Sequence, residues 1–239
     1  MNSTSNQPAI YLIPTTLGDS DINRVIPQNI HHLASHLHYF IVEDLRNARR
    51  YLKKLDKSIN IDELTFFELN KHTRSTEVET FLSPIKKGES IGIISEAGCP
   101  GVADPGADIV KIAHKKNIKV IPLVGPSSIL LSLMASGMNG QNFAFAGYIP
   151  IKKPERVKRL RQLEKRSQVE NQTQIFIEAP YRNDKLLADI LSTCAPETRV
   201  CVACDITLKT EYIVTKTVAQ WRKAVPEIHK RPTIFLLQG

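Results

Sequence analysis

From residue 9 to residue 123 the chain alternates short apolar runs with amphipathic stretches, and this alternation restricts it to an α/β fold. The apolar runs fall at 9–13, 39–42, 64–69, 91–94 and 118–123, each the length of a strand. Between them, residues 21–37, 47–55, 75–87 and 104–117 carry apolar side chains at helical spacing, and 129–136 follows the last run. Strand, helix, strand in strict succession predicts a mostly parallel sheet with flanking helices and right-handed crossovers. From about Met138 the grammar changes. Strands are expected at 143–147, 174–178, 199–204, a hairpin-like 211–217 and a closing 233–238, with one long basic stretch at 151–166. This less regular order predicts a mixed sheet. The expectation is therefore two α/β domains, 1–124 and 125–239.

Residues 91–106, Ile-Gly-Ile-Ile-Ser-Glu-Ala-Gly-Cys-Pro-Gly-Val-Ala-Asp-Pro-Gly, combine a strand end with the richest glycine and proline loop in the chain. Such loops put bare backbone N–H and C=O groups at the carboxyl edge of a sheet, where open α/β folds bind ligands. Two nucleotide classes drop out. The sequence contains no Gly-x-Gly, so the dinucleotide fingerprint has no candidate. Gly101 and Gly106 have phosphate-loop spacing, but Ala107 and Asp108 stand where that loop needs Lys and Ser or Thr. Glu96, Asp104 and Asp108 suit ribose hydroxyls or a cationic group better than phosphates. The loops at residues 14–19 and 124–128 have the same character, and Glu43-Asp44-Leu45-Arg46 places charged side chains at another strand end.

With 42% hydrophobic and 23% charged residues, the composition is that of an ordinary globular protein. No apolar run reaches the ~20 residues of a membrane span. Residues 1–8 lack the basic start and apolar stretch of a secretory signal, so a cytoplasmic location is expected. Cys99, Cys194, Cys201 and Cys204 read as free thiols. Cys201 and Cys204 have Cys-x-x-Cys spacing, but strand alternation sends them to opposite faces, and no second ligand pair completes a zinc site. His32 and His36, four apart on a helix, lack the glutamate of the zinc-protease pattern, and no metal is expected. The net charge of +8 suits a polyanionic partner. Its densest source is Lys152, Lys153, Arg156, Lys158, Arg159, Arg161, Lys165 and Arg166, a candidate RNA-facing helix.

Taken together, the loops resemble the tetrapyrrole methylase superfamily. The resemblance runs through Ile10-Tyr-Leu-Ile-Pro-Thr-Thr-Leu-Gly18, Glu43-Asp-Leu-Arg46, Ser95-Glu-Ala-Gly-Cys-Pro-Gly-Val-Ala-Asp-Pro-Gly106 and Pro122-Leu-Val-Gly-Pro-Ser-Ser128. It continues through Phe145-Ala-Gly-Tyr-Ile-Pro150 and Ile175-Phe-Ile-Glu-Ala-Pro-Tyr-Arg182 to the terminal strand. No motif is diagnostic alone; their order and spacing are specific and span essentially the whole chain. The resemblance implies a homodimer and S-adenosyl-L-methionine held in a cleft between two α/β domains. By position, Pro14, Leu17, Gly98, Cys99, Val102, Ser127 and Ser128 match the family's cofactor loops, and Ile177, Ile206 and Thr233 match contacts from the second domain. The nearest branch acts on RNA, 2′-O-methylating a cytidine of the small ribosomal subunit.

Three departures stand out. Cys99 replaces a usual threonine, Leu45 replaces another, and Cys204-Asp205-Ile206-Thr207-Leu208 replaces Arg-Glu-Leu-Thr-Lys. They bear on the acceptor more than on the cofactor. Methyl transfer to a ribose hydroxyl needs in-line alignment and help in removing a proton of very high pKa. Glu43 or Asp104 is the candidate to orient that hydroxyl, and Arg46 or Lys209 to hold a neighbouring phosphate. Two other readings stay open, a methyltransferase for a tetrapyrrole or other small molecule, and an RNA-binding protein that has lost catalysis on the same scaffold.

Overall fold

The structure, a computed structural model, describes residues 7–69, 73 and 75–239. The chain divides into two compact units, Met1–Pro126 and Ser127–Gly239.

The first unit is built on a parallel sheet. Its strands are β1 (Ala9–Ile13), β2 (Tyr39–Val42), β3 (Thr65–Glu68), β4 (Ile91–Ile94) and β5 (Lys119–Pro122), in the order β3-β2-β4-β1-β5. All four pairings are parallel, with Ile13 beside Ile94 and Val42 beside Ile94. Every carboxyl end therefore opens on the same edge. Pro122 closes β5, where an edge strand tolerates a missing N–H.

The helices are α1 (Ile22–Val25), α2 (Gln28–Ser35), α3 (Leu45–Leu55), α4 (Ser75–Phe81), α5 (Ser83–Lys86) and α6 (Gly106–Lys115). They cover both faces of the sheet. One core joins Ile13, Ile30, Phe40 and Leu52, and the other joins Ile10, Ile41, Ile91 and Ile109. Continuous apolar strands buried on both faces are what a parallel sheet demands.

The single helix expected over residues 21–37 is two. Pro27 cannot donate to a helical carbonyl and forces the residue before it out of helical geometry, so Ile26 is extended at φ −111° and ψ 121°. The expected 75–87 helix likewise splits into α4 and α5, with Pro84 near the start of the second. The basic segment around 70–74 lies outside the described residues except for Thr73.

The second unit holds β6 (Phe143–Tyr148), β7 (Thr173–Ile177), β8 (Arg199–Cys204), β9 (Tyr212–Thr217) and β10 (Thr233–Gln238), in the order β6-β7-β10-β8-β9. β6 and β7 run parallel and the other pairings are antiparallel, so the sheet is mixed. Around it lie α7 (Ser128–Ser136), α8 (Lys153–Glu170), α9 (Asn183–Thr193) and α10 (Val218–Trp221). Trp221 is fully buried and donates its indole N–H to the Val200 carbonyl at 2.8 Å.

One member of the basic run is not surface at all. Arg156 is 2% exposed, on the same stripe of α8 as Leu160, Leu163 and Ser167. Its Nε donates to Asp189 at 2.6 Å, and its Nη1 donates to the Pro150 and Ile151 carbonyls. It pins the loop before α8 and leaves the RNA-facing set, because a buried guanidinium must spend its donors on fixed partners. Lys158, Arg161 and Lys165 stay exposed.

All four cysteines are free thiols, and among the described residues no group of His, Cys, Asp and Glu could hold a metal. No helix among them is long and apolar enough to cross a membrane.

Candidate active site

In the first unit, the loops after β1, β4 and β5 lock together at the carboxyl edge. Thr15 donates its N–H to the Gly98 carbonyl at 2.9 Å and its hydroxyl to the Ser95 carbonyl at 3.3 Å. The Ser95 hydroxyl donates to the Gly98 carbonyl at 3.1 Å. Gly98 sits at φ +77°, and a Cβ there would lie 3.2 Å from both Leu17 Cδ2 and the Pro126 carbonyl. The Cys99 thiol reaches the Pro126 carbonyl at 3.4 Å, in the loop after β5. Cys99 is thus a donor in place of the family's threonine. Burial, with the charge of Asp104, pushes its thiol pKa up, so it is no thiolate nucleophile.

Gly125 is the tightest point of the cradle. A Cβ on it would fall 2.2 Å from Pro14 Cβ and Cγ. The only signal in the sequence was its place in a Gly-Pro loop at a strand end. Pro14 is fixed in turn, because the buried Tyr51 of α3 donates its hydroxyl to the Pro14 carbonyl at 2.6 Å.

Asp104 acts first on its own loop. Its Oδ1 accepts the N–H of Gly101 at 2.8 Å and of Gly106 at 2.7 Å, which holds Ala103 in left-handed geometry at φ 60°. Burial raises the Asp104 carboxyl pKa, and those two N–H groups oppose the rise. Val102, beside it, is exposed.

The turn after β2 faces these loops. Glu43 is half-buried, and its carboxyl is held above the ordinary range first by burial and then by the charge of Asp104; the Glu96 N–H works against this and the Glu96 carboxylate adds to it. Asn47 donates its side-chain N–H to Glu96 at 2.7 Å, tying α3 to the loop after β4. Arg46 is exposed and has no ion pair with another described residue. A cavity of about 280 Å³ opens beside the turn, lined by Thr15, Thr16, Asn47, Arg50, Lys54 and Glu96 among others. Asp44 has a structural task, since its side chain accepts the Asn47 N–H at 2.7 Å as the N-cap of α3. Asp44→Ala is therefore expected to cost about 1 kcal/mol of stability in denaturant unfolding while methyl transfer stays near wild type.

Bare backbone, a cradle that a single methyl group would fill, and carboxylates in place of cations fit a compact, positively charged ligand. The model of the family described as Tetrapyrrole (Corrin/Porphyrin) Methylases matches residues 35–221. The chain belongs to this family. As a tetrapyrrole methylase it is an S-adenosylmethionine-dependent methyltransferase.

Its similar relatives include the ribosomal RNA small subunit methyltransferase I of Buchnera aphidicola subsp. Schizaphis graminum, 28% identical over 99% of this chain and 80% of that protein. The Vibrio cholerae protein of the same name is 30% identical, over 97% of this chain and 77% of that protein. Among solved structures, the methyltransferase CobJ matches with a TM-score of 0.64 at 15% identity, covering 97% of this chain and 94% of that one. The uroporphyrin-III C-methyl transferase of Thermus thermophilus, complexed with S-adenyl homocysteine, matches with 0.57 at 14% identity, covering 96% and 97%. At these identities the likeness to solved structures is one of fold.

In the second unit of this tetrapyrrole methylase, Ser127 caps α7 through its hydroxyl, and Ser128 is the first helical residue. Ile177 ends β7 opposite Ile234, and Thr233 begins β10 opposite Cys204, so both lie on one edge of the mixed sheet. Ile206 follows β8 at that edge, buried between the left-handed Asp205 and Thr207. The Thr233 hydroxyl is 3.4 Å from Cys204 Sγ and 2.9 Å from the Arg231 carbonyl.

Proposed function

We propose that this tetrapyrrole methylase transfers its methyl group to the 2′-hydroxyl of a cytidine in small-subunit (16S) ribosomal RNA, in the cytoplasm. The observation that carries this reading is the likeness, over nearly the whole chain, to relatives named ribosomal RNA small subunit methyltransferase I. The cofactor supplies a methyl group already activated on a sulfonium, with a neutral thioether as leaving group. The chain has to position the acceptor and take its proton. We assign the cofactor to Pro14, Leu17, Gly98, Cys99, Val102, Ser127 and Ser128, with Ile177, Ile206 and Thr233 contributing further contacts. Glu43 accepts the ribose proton, and its raised carboxyl makes it a stronger base than an ordinary glutamate. Asp104, with one oxygen committed to Gly101 and Gly106, shapes the loop and supports that charge balance. Arg46, exposed at the turn, holds a flanking phosphate.

The test is to incubate the protein and labelled cofactor with small ribosomal subunits, naked ribosomal RNA and a tetrapyrrole precursor. Label at a ribose 2′-oxygen of the subunits or the RNA supports the reading. Label on the tetrapyrrole alone overturns it in favour of a small-molecule acceptor, and no label anywhere points to an RNA-binding protein without catalysis.

The assembly we propose is a homodimer. Its support within the chain is α7, an apolar helix whose Leu130 and Met134, one turn apart, are 51% and 78% exposed. Sedimentation is expected to give about twice the 26.8 kDa chain mass, and Met134→Asp to lower it. A concentration-independent mass of one chain at tens of micromolar would rule the dimer out.

A further inference from the structure

A pair of exposed tyrosines in the second unit has no role in the assignments above. Tyr148 ends β6 and is 66% exposed; Tyr181, in the short turn of 3₁₀ helix after β7, is 62% exposed. They share one edge of the sheet, because β6 and β7 run parallel and Tyr148 stands opposite Ile177. The sheet turns Tyr148 outward by a register shift between Phe145 and Tyr148, at Gly147 with φ +68°. Such irregularities re-aim a side chain at a strand end, and only glycine takes that conformation without strain.

Against the Tyr181 ring lies Arg182. Its guanidinium carbon is 4.9 Å from the Tyr181 ring centroid, and its Nη1 donates to the Tyr181 hydroxyl at 2.7 Å. Both phenols lie within its electrostatic reach. Arg182 is pre-set from below by Glu178, a buried carboxylate whose Oε1 accepts from Nη2 at 2.5 Å and from the Ala179 N–H at 2.7 Å. Its Nε is buried and finds no acceptor among the described residues. Lys152 and Lys153, just past β6, are ion-paired with Glu155 and Asp189. Lys230 is exposed and donates its backbone N–H to the Pro180 carbonyl at 3.1 Å, beside Tyr181.

Two solvent-facing aromatic rings, a planar guanidinium held in place and an exposed lysine alongside match the chemistry of one partner class. Unpaired nucleobases stack on tyrosine rings and arginine planes, while a phosphate between them takes a cation such as Lys230. A duplex offers no such faces. We propose that Tyr148, Tyr181 and Arg182 form a stacking platform for unpaired bases of the RNA substrate. This rests on the reading that the acceptor is RNA.

The test is fluorescence anisotropy with a labelled single-stranded ribo-octamer, paired with single-turnover methylation of small ribosomal subunits. Tyr148→Ala and Tyr181→Ala are each expected to weaken octamer binding about tenfold, equal to about 1.4 kcal/mol. They should slow methylation of subunits at low subunit concentration, with melting temperature and cofactor affinity unchanged, since both side chains are exposed. Tyr181→Phe, which keeps the ring, should stay within about twofold of wild type. The salt dependence should persist in the tyrosine variants and fall by about one charge in Lys230→Ala.

Wild-type binding and methylation in both alanine variants would overturn the platform and leave the RNA acceptor standing. A Tyr181→Phe loss as large as that of Tyr181→Ala would mean a hydroxyl contact and would also overturn stacking. Wild-type protein that neither binds the octamer nor methylates subunits removes the RNA acceptor and the platform together. Displacement of the octamer by uroporphyrin from wild type but not from Tyr181→Ala would assign the surface to a flat polycarboxylate and overturn the nucleobase.

Discussion

Gly125→Ala is expected to lower S-adenosylmethionine affinity at least about tenfold, a loss of about 1.4 kcal/mol, when binding is measured by calorimetry. The added methyl would lie 2.2 Å from Pro14 Cβ and Cγ. Side-chain rotation offers no relief, because a proline ring is rigid. Main-chain movement is opposed as well. Pro14 follows directly on β1, an interior strand of the parallel sheet, and its carbonyl is held by the Tyr51 hydroxyl at 2.6 Å. The loops after β1 and β5 must therefore separate, which disturbs Gly98, whose carbonyl is bonded to Thr15 and whose Cα faces Pro126. Overpacking of this kind costs about 1–3 kcal/mol of folding stability, so unfolding should shift together with affinity. Gly140→Ala is the control. Nothing lies within 4 Å of a Cβ there, and both stability and binding should hold. Wild-type affinity in Gly125→Ala would mean that the loops after β1 and β5 do not jointly hold the cofactor.

The parts of this protein that local chemistry dictates were readable in advance. Apolar runs bounded by glycine and proline marked the strand ends, because a chain leaving a buried strand needs special backbone angles there. Gly98 and Gly101, both in left-handed geometry, are examples. The alternation of strand and helix then implied the parallel sheet. What escaped was set by partners distant in sequence. Arg156 sat in a run of cations and was read with them, although its spacing to Leu160 and Leu163 put it on the buried stripe of α8. Its partner Asp189 is 33 residues away on another helix. Tyr51 likewise lies inside a basic helix, and nothing local tells that its hydroxyl supports Pro14. Asp44, among the charges at the β2 end, accepts the Asn47 N–H and serves as the N-cap of α3.

Glu43→Gln is expected to cut methyl transfer at least about tenfold while cofactor affinity stays near wild type. The amide keeps the size and can still accept the nearby Glu96 N–H, so the change removes basicity and little else. Stability separates this from a structural effect. Burial and the Asp104 charge raise the Glu43 carboxyl in the folded state above its unfolded value, so ionisation costs the fold something as pH rises from the unfolded pKa through the folded one. Above the folded pKa that cost is fully present, and there Glu43→Gln should be as stable as wild type or slightly more so. A residue kept for the fold would show the reverse.

The pH profile of transfer gives the second readout. Activity should rise as Glu43 loses its proton, with the acid limb displaced above the ordinary carboxylate range. Glu96→Gln should move that limb downward by removing a negative neighbour. Arg46→Ala, in contrast, should weaken the RNA substrate through a lost phosphate contact and flatten the salt dependence of binding, without moving the limb. Wild-type turnover in both Glu43→Gln and Arg46→Ala would remove this turn from the active site and return the proton to Asp104 or to solvent.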